Sequence, residues 1–493
     1  MPPTPFSTPE ALCSRRGFLA AAGSTGAALL FPGAAAALGR LAQATEAAGA
    51  AVDSFRSRRD LAAPAIAVPV AATDTSPGLI FLSAVTGPGK RGPMIVDDRG
   101  GLVWFRPLDK RTAADFRVQR YRGAPVLTWW EGGITGGYGK GEYVIADAAY
   151  RTVQRVRAGN GHQGDLHEFR LTPQGTALLT IYEPLPFDLT PFGGPADGTL
   201  LESIVQEVDI ASGRVLFEWH ARDHVGLDES YRAVGNGVLD HFHANSVDVD
   251  SDGSLLVSAR HTWAVYKLDR RSGEIIWRLG GKKSDFELGP GAAFYWQHDA
   301  QRQPDGTISI FDDGAEPPEE ATSRGIRLQV DESARKATLA AEYVHPDRLL
   351  ADAMGSMQVL PDGGAFVGWG TVPGFSEFTP DGRLRFDARL TGGGASYRAY
   401  RLPWSGRPEA PPALAVAGAR ARRLAYASWN GATHVARWRL RGGAARGSLR
   451  PLRTVPRSGF ETAVPVPRGI AWVAVDALGA KGAVLGSSPA RRV

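Results

Sequence analysis

Sulfur is scarce in this chain: 493 residues include one cysteine, Cys13, and four methionines. A lone cysteine excludes an internal disulfide framework, a Cys-ligated metal and a cysteine pair for redox work. A block of like charge is missing too. The 56 basic and 51 acidic residues are scattered, which excludes the concentrated basic face that nucleic-acid binding needs. Also absent is a long apolar run. The most apolar stretch, 20–30, is glycine-broken and shorter than the ~20 residues of a membrane-spanning helix. Abundant instead are Gly (60), Pro (34) and Trp (12), a balance that favours turns and aromatic strands over helices.

The apolar stretch follows Ser14, Arg15, Arg16, Gly17, Phe18 and Leu19 and leads into small residues around Ala34 to Ala37. That order resembles a twin-arginine export signal, so residues 1–37 are expected to be removed and Cys13 with them. The expected location is periplasmic or extracellular, with no integral membrane span after cleavage.

Beyond an N-terminal extension and first strand (38–78), one rhythm recurs: a strand, an Asp-Gly-type turn, a strand, then a second strand pair. HANSVDVDSDGSLLVSAR (243–260) and HDAQRQPDGTISIFDDG (298–314) are two copies of it. The turn glycines Gly175, Gly253, Gly306 and Gly363 carry the period; the last three lie 53 and 57 residues apart, and the 78-residue first gap leaves room for an insertion. Four-stranded units at this spacing predict an all-β fold, a β-propeller of about six blades over 79–400. A Pro-rich linker (401–416) then leads to a predicted immunoglobulin- or fibronectin-like β-sandwich over 417–493, with an Asn430-Gly431 turn.

In a propeller the innermost strand of each blade lines a central channel, and a residue opening that strand faces the channel mouth. Three consecutive units place histidine there: His167, His243 and His298. Three imidazoles fit a zinc site, but no carboxylate stands out as a partner, because Glu168 and Asp299 adjoin their histidines and are expected on the opposite strand face. With Asn245, two residues beyond His243, and Arg260 closing the same strand pair, the set fits a sulfate- or phosphate-like oxyanion instead. Trp296 and Tyr138 are candidates to clamp an aromatic ring. Of the other histidines, His162 and His241 are secondary candidates for the funnel. His220, His224 and His345 read as surface or strand-end residues, His434 as structural, and His261 as pointing away from Arg260.

The HxN pair His243 and Asn245, Arg260, WQHDA (296–300), DLHEFRLTPQGTALL (165–179), WWEGG (129–133) and GYGKGEYVIAD (137–147) together resemble the PAPS-independent arylsulfotransferases, in the branch found in fungi and actinobacteria. The resemblance covers most of the chain from about Ser54. It implies an exported six-bladed propeller that moves a sulfuryl group from an aryl sulfate ester to a phenol through a sulfohistidine, without cofactor or metal. It makes His298 the nucleophile, places His243, Asn245 and Arg260 on the sulfuryl oxygens, and gives His167 the leaving group. The disulfide of bacterial members has no counterpart here. The resemblance leaves the oligomeric state open, and a non-catalytic propeller scaffold at the cell surface is the alternative reading.

Overall fold

A computed structural model describes residues 52–419 and 422–493; the twin-arginine segment lies outside them. Six antiparallel sheets follow one another between Leu79 and Leu402. Each is built on four antiparallel strands, the pattern that alternating apolar segments joined by tight turns produce, and three of the sheets carry a fifth strand. The strand pairs read from the sequence form as expected. Their turns need a residue with positive φ, and Gly175, Gly253, Gly306 and Gly363 supply it at φ values of 82, 88, 85 and 86°.

The ring closes on itself. Strand Ser396–Leu402 pairs with Leu79–Ala84 and becomes the inner strand of the first sheet, so the two ends of the ring share one sheet. Strand Ile66–Val70 adds an outer fifth strand to the last sheet, beside Leu384–Leu390. Every neighbouring pair of sheets, including last with first, is joined by its own buried apolar cluster. The core is therefore six wedges between sheets, a β-propeller. Among the described residues no helix is long and apolar enough to cross a membrane.

Residues from Ala413 onward build two further sheets around a common core that includes Leu414, Trp438 and Val475. The strand Ala413–Ala417 begins within the segment expected as a linker. This tail rests on the first propeller sheet. The Asn430 amide donates to Phe105 O and accepts from Phe105 N, both at 2.9 Å, while Gly431 N donates to Val103 O.

The inner strands build the channel. Four carry a bulge near the upper end, at 114–117, 244–246, 298–301 and 396–399. A bulge breaks simple alternation and turns successive side chains to the same side. Asp115, His243 and Asp299 accordingly have φ near +50 to +59°.

Candidate functional site

The bulged strands stack the channel into tiers. The upper tier is aromatic. The ring centroids of His167 and His243 are 5.0 Å apart, Tyr182 lies 5.4 Å from each, and Tyr397 lies 5.4 Å from His167 and 6.3 Å from His298. The three predicted histidines therefore converge. Tyr182 and Tyr397 join them, with hydroxyls donated to the carbonyls of Ala244 and Asn245. Neither tyrosine is marked by a motif, since each becomes a channel residue only once its sheet is placed.

Beneath lies an ionic tier, buried throughout. Arg117 pairs with Glu168 and, at 3.2 Å, with Asp115; Arg398 reaches Asp115, Glu168 and Asp299 at 3.0, 3.2 and 3.5 Å. The expectation that Glu168 and Asp299 turn away from the channel is thus corrected. The bulge after His298 swings Asp299 inward, and Glu168 precedes its strand, so face alternation does not govern it. Burial raises the Asp115 pKa to about 6, whereas Arg117 and Arg398 outweigh burial at Glu168 and lower it to about 2. This plug separates the histidines from the lower mouth.

Each of the three histidines has a carboxylate behind it, and the sequence reading missed all three. His167 Nδ1 meets Asp165 Oδ2 at 2.5 Å, His243 Nδ1 meets Asp240 Oδ2 at 2.5 Å, and His298 Nδ1 meets Asp313 Oδ2 at 2.8 Å. A neutral ring whose Nδ1–H is given to a carboxylate presents an unprotonated Nε2, and a protonated one presents an Nε2–H donor. Two of the pairs are visible as short spacings, DLH and DHFH; the third spans a hairpin.

The electrostatics differ around the ring. Burial, opposed by Asp240 and reinforced by His261 and His167, lowers His243 to about 3. Burial followed by Arg260, His167 and His243 holds His298 well below the usual imidazole range. Both are neutral at neutral pH. Burial pushes the Asp313 carboxyl well up, with Asp312 and Asp352 adding and Arg260 opposing.

Arg260 and Asn245 sit where the sequence places them, with roles shaped by their surroundings. Arg260 is buried and donates to Asp352 O at 2.6 Å and to His261 Nε2 at 3.0 Å, and its Nε–H has no partner among the described residues. Asn245 Nδ2 spends one hydrogen on Gln297 O at 2.7 Å, which leaves its second. Tyr138 stacks on Tyr182 at 5.7 Å, at the mouth. Trp296 is only 1% exposed, donates to Pro317 O and lies under the Arg260 guanidinium at 5.0 Å. It supports the arginine and has no open face for a ring.

His261 was expected to point away; instead it joins the tier, 4.6 Å from His243, because the Arg260–Trp263 turn folds it back. Asp240, His243 and His261 are close enough to hold a cation, yet their bonding argues against one. His261 donates Nδ1–H to Asp240 O at 2.6 Å while its Nε2 accepts from Arg260, so both nitrogens are committed beside a fixed positive charge. His345 is buried against Trp369 at 5.7 Å, not at the surface. His162 faces Glu183 at 3.5 Å, apart from the tier.

His241 lies wholly buried, and neither ring nitrogen has a partner among the described residues. Burial lowers its pKa from 6.5 to about 4. As pH falls below 6.5 the unfolded chain takes up this proton before the folded one does, so stability drops toward pH 4. The His241→Phe variant lacks that loss: its stability advantage grows by about 3 kcal/mol across the window, read by urea unfolding at pH 7 and pH 4. An advantage independent of pH refutes the assignment.

A family profile described as Arylsulfotransferase (ASST) matches residues 117–391, more than half the chain and every residue of the histidine tier except Tyr397. No curated protein matches. Solved structures give distant likenesses. A Bacteroides caccae protein of unknown function is 13% identical, with 66% of this chain and 98% of that one covered and a TM-score of 0.41. Virginiamycin B lyase from Staphylococcus aureus is 10% identical over 73% and 94%, at a TM-score of 0.33.

Proposed function

The chain belongs to the arylsulfotransferase family, and from that premise we propose that it is an exported enzyme that moves a sulfuryl group from an aryl sulfate ester to a phenol through a sulfohistidine at His298. The observation that carries the reading is the tier itself: a neutral imidazole, oriented by Asp313 and flanked by two further histidines and Arg260.

In the first half-reaction the Nε2 lone pair of His298 attacks sulfur. The bond from sulfur to the aryl oxygen breaks, and the oxygen leaves with its electron pair. Protonated His167 gives its Nε2 proton to that oxygen, releasing a neutral phenol. As the N–S bond forms, positive charge develops on the His298 ring, and the carboxylate of Asp313, holding Nδ1–H, offsets it. The Arg260 Nε–H and the second Asn245 amide hydrogen donate to sulfuryl oxygens, and His243 completes the pocket. In the second half-reaction neutral His167 takes the proton of the acceptor phenol, whose oxygen attacks sulfur and frees His298. Ping-pong kinetics follow.

The ionic plug below the tier keeps the reaction at one mouth of the channel. Water therefore has no path to the intermediate from the plugged side. Export rests on the twin-arginine pattern at Arg15 and Arg16, and membership of the fungal and actinobacterial branch on WWEGG and GYGKGEYVIAD.

The test is to mix the chain with para-nitrophenyl sulfate and no acceptor, then to digest it and map modified peptides by mass spectrometry. One sulfuryl group on the His298 peptide, discharged by added phenol, is expected. Nitrophenol release without any protein adduct overturns the covalent route.

A further inference from the structure

We propose that the glycine-rich hairpin over the histidine tier selects aryl substrates that bear a second, acidic group, with Tyr138 stacking on the ring and Lys140 pairing with the acid. The proposal rests on the sulfuryl-transfer reading of the tier below it and names the substrate class.

The hairpin joins strands Ala124–Thr135 and Tyr138–Ala146 through Gly136 and Gly137, both at positive φ. Thr135 pairs with Tyr138, and Gly133 with Lys140. These four residues line one cavity of about 220 Å³. A cavity below the ~300 Å³ of drug-sized sites suits a single substituted ring. Tyr138 forms its wall and stacks on Tyr182, whose ring lies 5.4 Å from both His167 and His243. The hairpin cavity is thereby linked to the tier through the Tyr138–Tyr182 stack.

Lys140 is two residues beyond Tyr138 and shares its strand face. It is exposed and has no charged partner among the described residues, unlike the nearby arginines, where Arg155 pairs with Glu131 and Glu142. The carboxylates close to Tyr138 do not neutralise it. Asp165 and Asp240 hold histidines, and Glu183 faces His162. Open space adds to the fit: a side chain built on Gly133 would meet nothing within 4 Å. Between Tyr138 and Lys140, Gly139 N donates to Asp165 Oδ1 at 2.6 Å. The strand that carries Tyr138 and Lys140 is so anchored to the carboxylate that orients His167.

The experiment compares phenol and para-hydroxyphenylacetate as acceptors, with para-nitrophenyl sulfate as donor and the full chain as enzyme. The ratio of kcat/KM for the acid to that for phenol is expected to exceed one in the wild type. It falls about fivefold in Lys140→Gln, the size of one exposed ion pair, and further in Lys140→Glu. A ratio unchanged in both variants overturns the proposal. Calorimetric binding of para-hydroxyphenylacetate without donor separates this from the transfer reading. If the wild type transfers to neither acceptor but Lys140→Gln still weakens binding, the slot stands and the transfer reading fails. Equal binding by wild type and variant removes the slot whatever the turnover.

Discussion

Replacing His298 with alanine abolishes the sulfuryl adduct and lowers turnover on the order of 10⁴- to 10⁶-fold, the scale seen when a covalent nucleophile is deleted. Three imidazoles share the tier, and their surroundings distinguish them. After burial, Arg260 is the largest influence lowering the proton affinity of His298, and a sulfate ester drawn to that guanidinium arrives beside an unprotonated Nε2. His243 instead shares Asp240 with His261 and has no arginine among the main influences on its pKa. Its surroundings suit a donor or a wall better than an attacking atom. The variant is expected to fold. Truncation leaves Asp313 without its ring, but burial raises the proton affinity of that carboxyl, so it takes up a proton and no bare charge is stranded. Near-wild-type thermal unfolding checks this. Added imidazole, filling the vacated space, is expected to restore part of the nitrophenol release. An adduct that persists in the variant, mapped to His243 or His167, would reassign the nucleophile.

The repeat was legible because it is written twice, in strand alternation and in turn glycines. Gly253 and Gly306 mark equivalent turns, and their spacing needs no knowledge of the sheets around them. The first sheet was harder to read: its inner strand, Ser396–Leu402, comes from the far end of the ring, some 300 residues from the strands it completes. No local pattern announces that pairing. The same distinction runs through the site. His167, His243 and His298 stand at or just before the start of inner strands and are found by counting, whereas Asp313 follows a second strand and meets His298 only across a hairpin. Alternation then misled where backbones bulge. Asp299 follows His298 directly and ought to face away, yet a positive φ turns it into the channel toward Arg398. His261 was misplaced for a similar reason, because a tight turn beside Arg260 reverses the side expected of a neighbour.

The Asp313→Asn variant tests how the nucleophile is kept ready, and it is expected to lower kcat by about 10³- to 10⁴-fold, as when a carboxylate that fixes a catalytic imidazole tautomer is replaced by an amide. With one proton shared between them, His298 gives Nδ1–H to Asp313 and Nε2 carries a free lone pair. A second proton has two possible homes, and burial decides between them, since it raises the carboxyl and, with Arg260, lowers the imidazole. The proton settles on Asp313, whose O–H then donates to Nδ1 and forces the remaining ring proton onto Nε2. That state cannot attack sulfur. Activity is therefore present above the raised Asp313 pKa and lost as pH falls through it, so the acid limb of the rate profile reports the carboxyl, at a pH above the ordinary carboxylate range. In Asp313→Asn the group no longer titrates. Its amide can accept Nδ1–H through oxygen or donate to Nδ1 through nitrogen, so only part of the population presents the lone pair. The slow variant is expected to lose the acid limb set by Asp313, and ring-nitrogen NMR of His298 is expected to show both tautomers. A variant with wild-type kcat, or one slowed but with the acid limb unmoved, would show that Asp313 only packs against the ring.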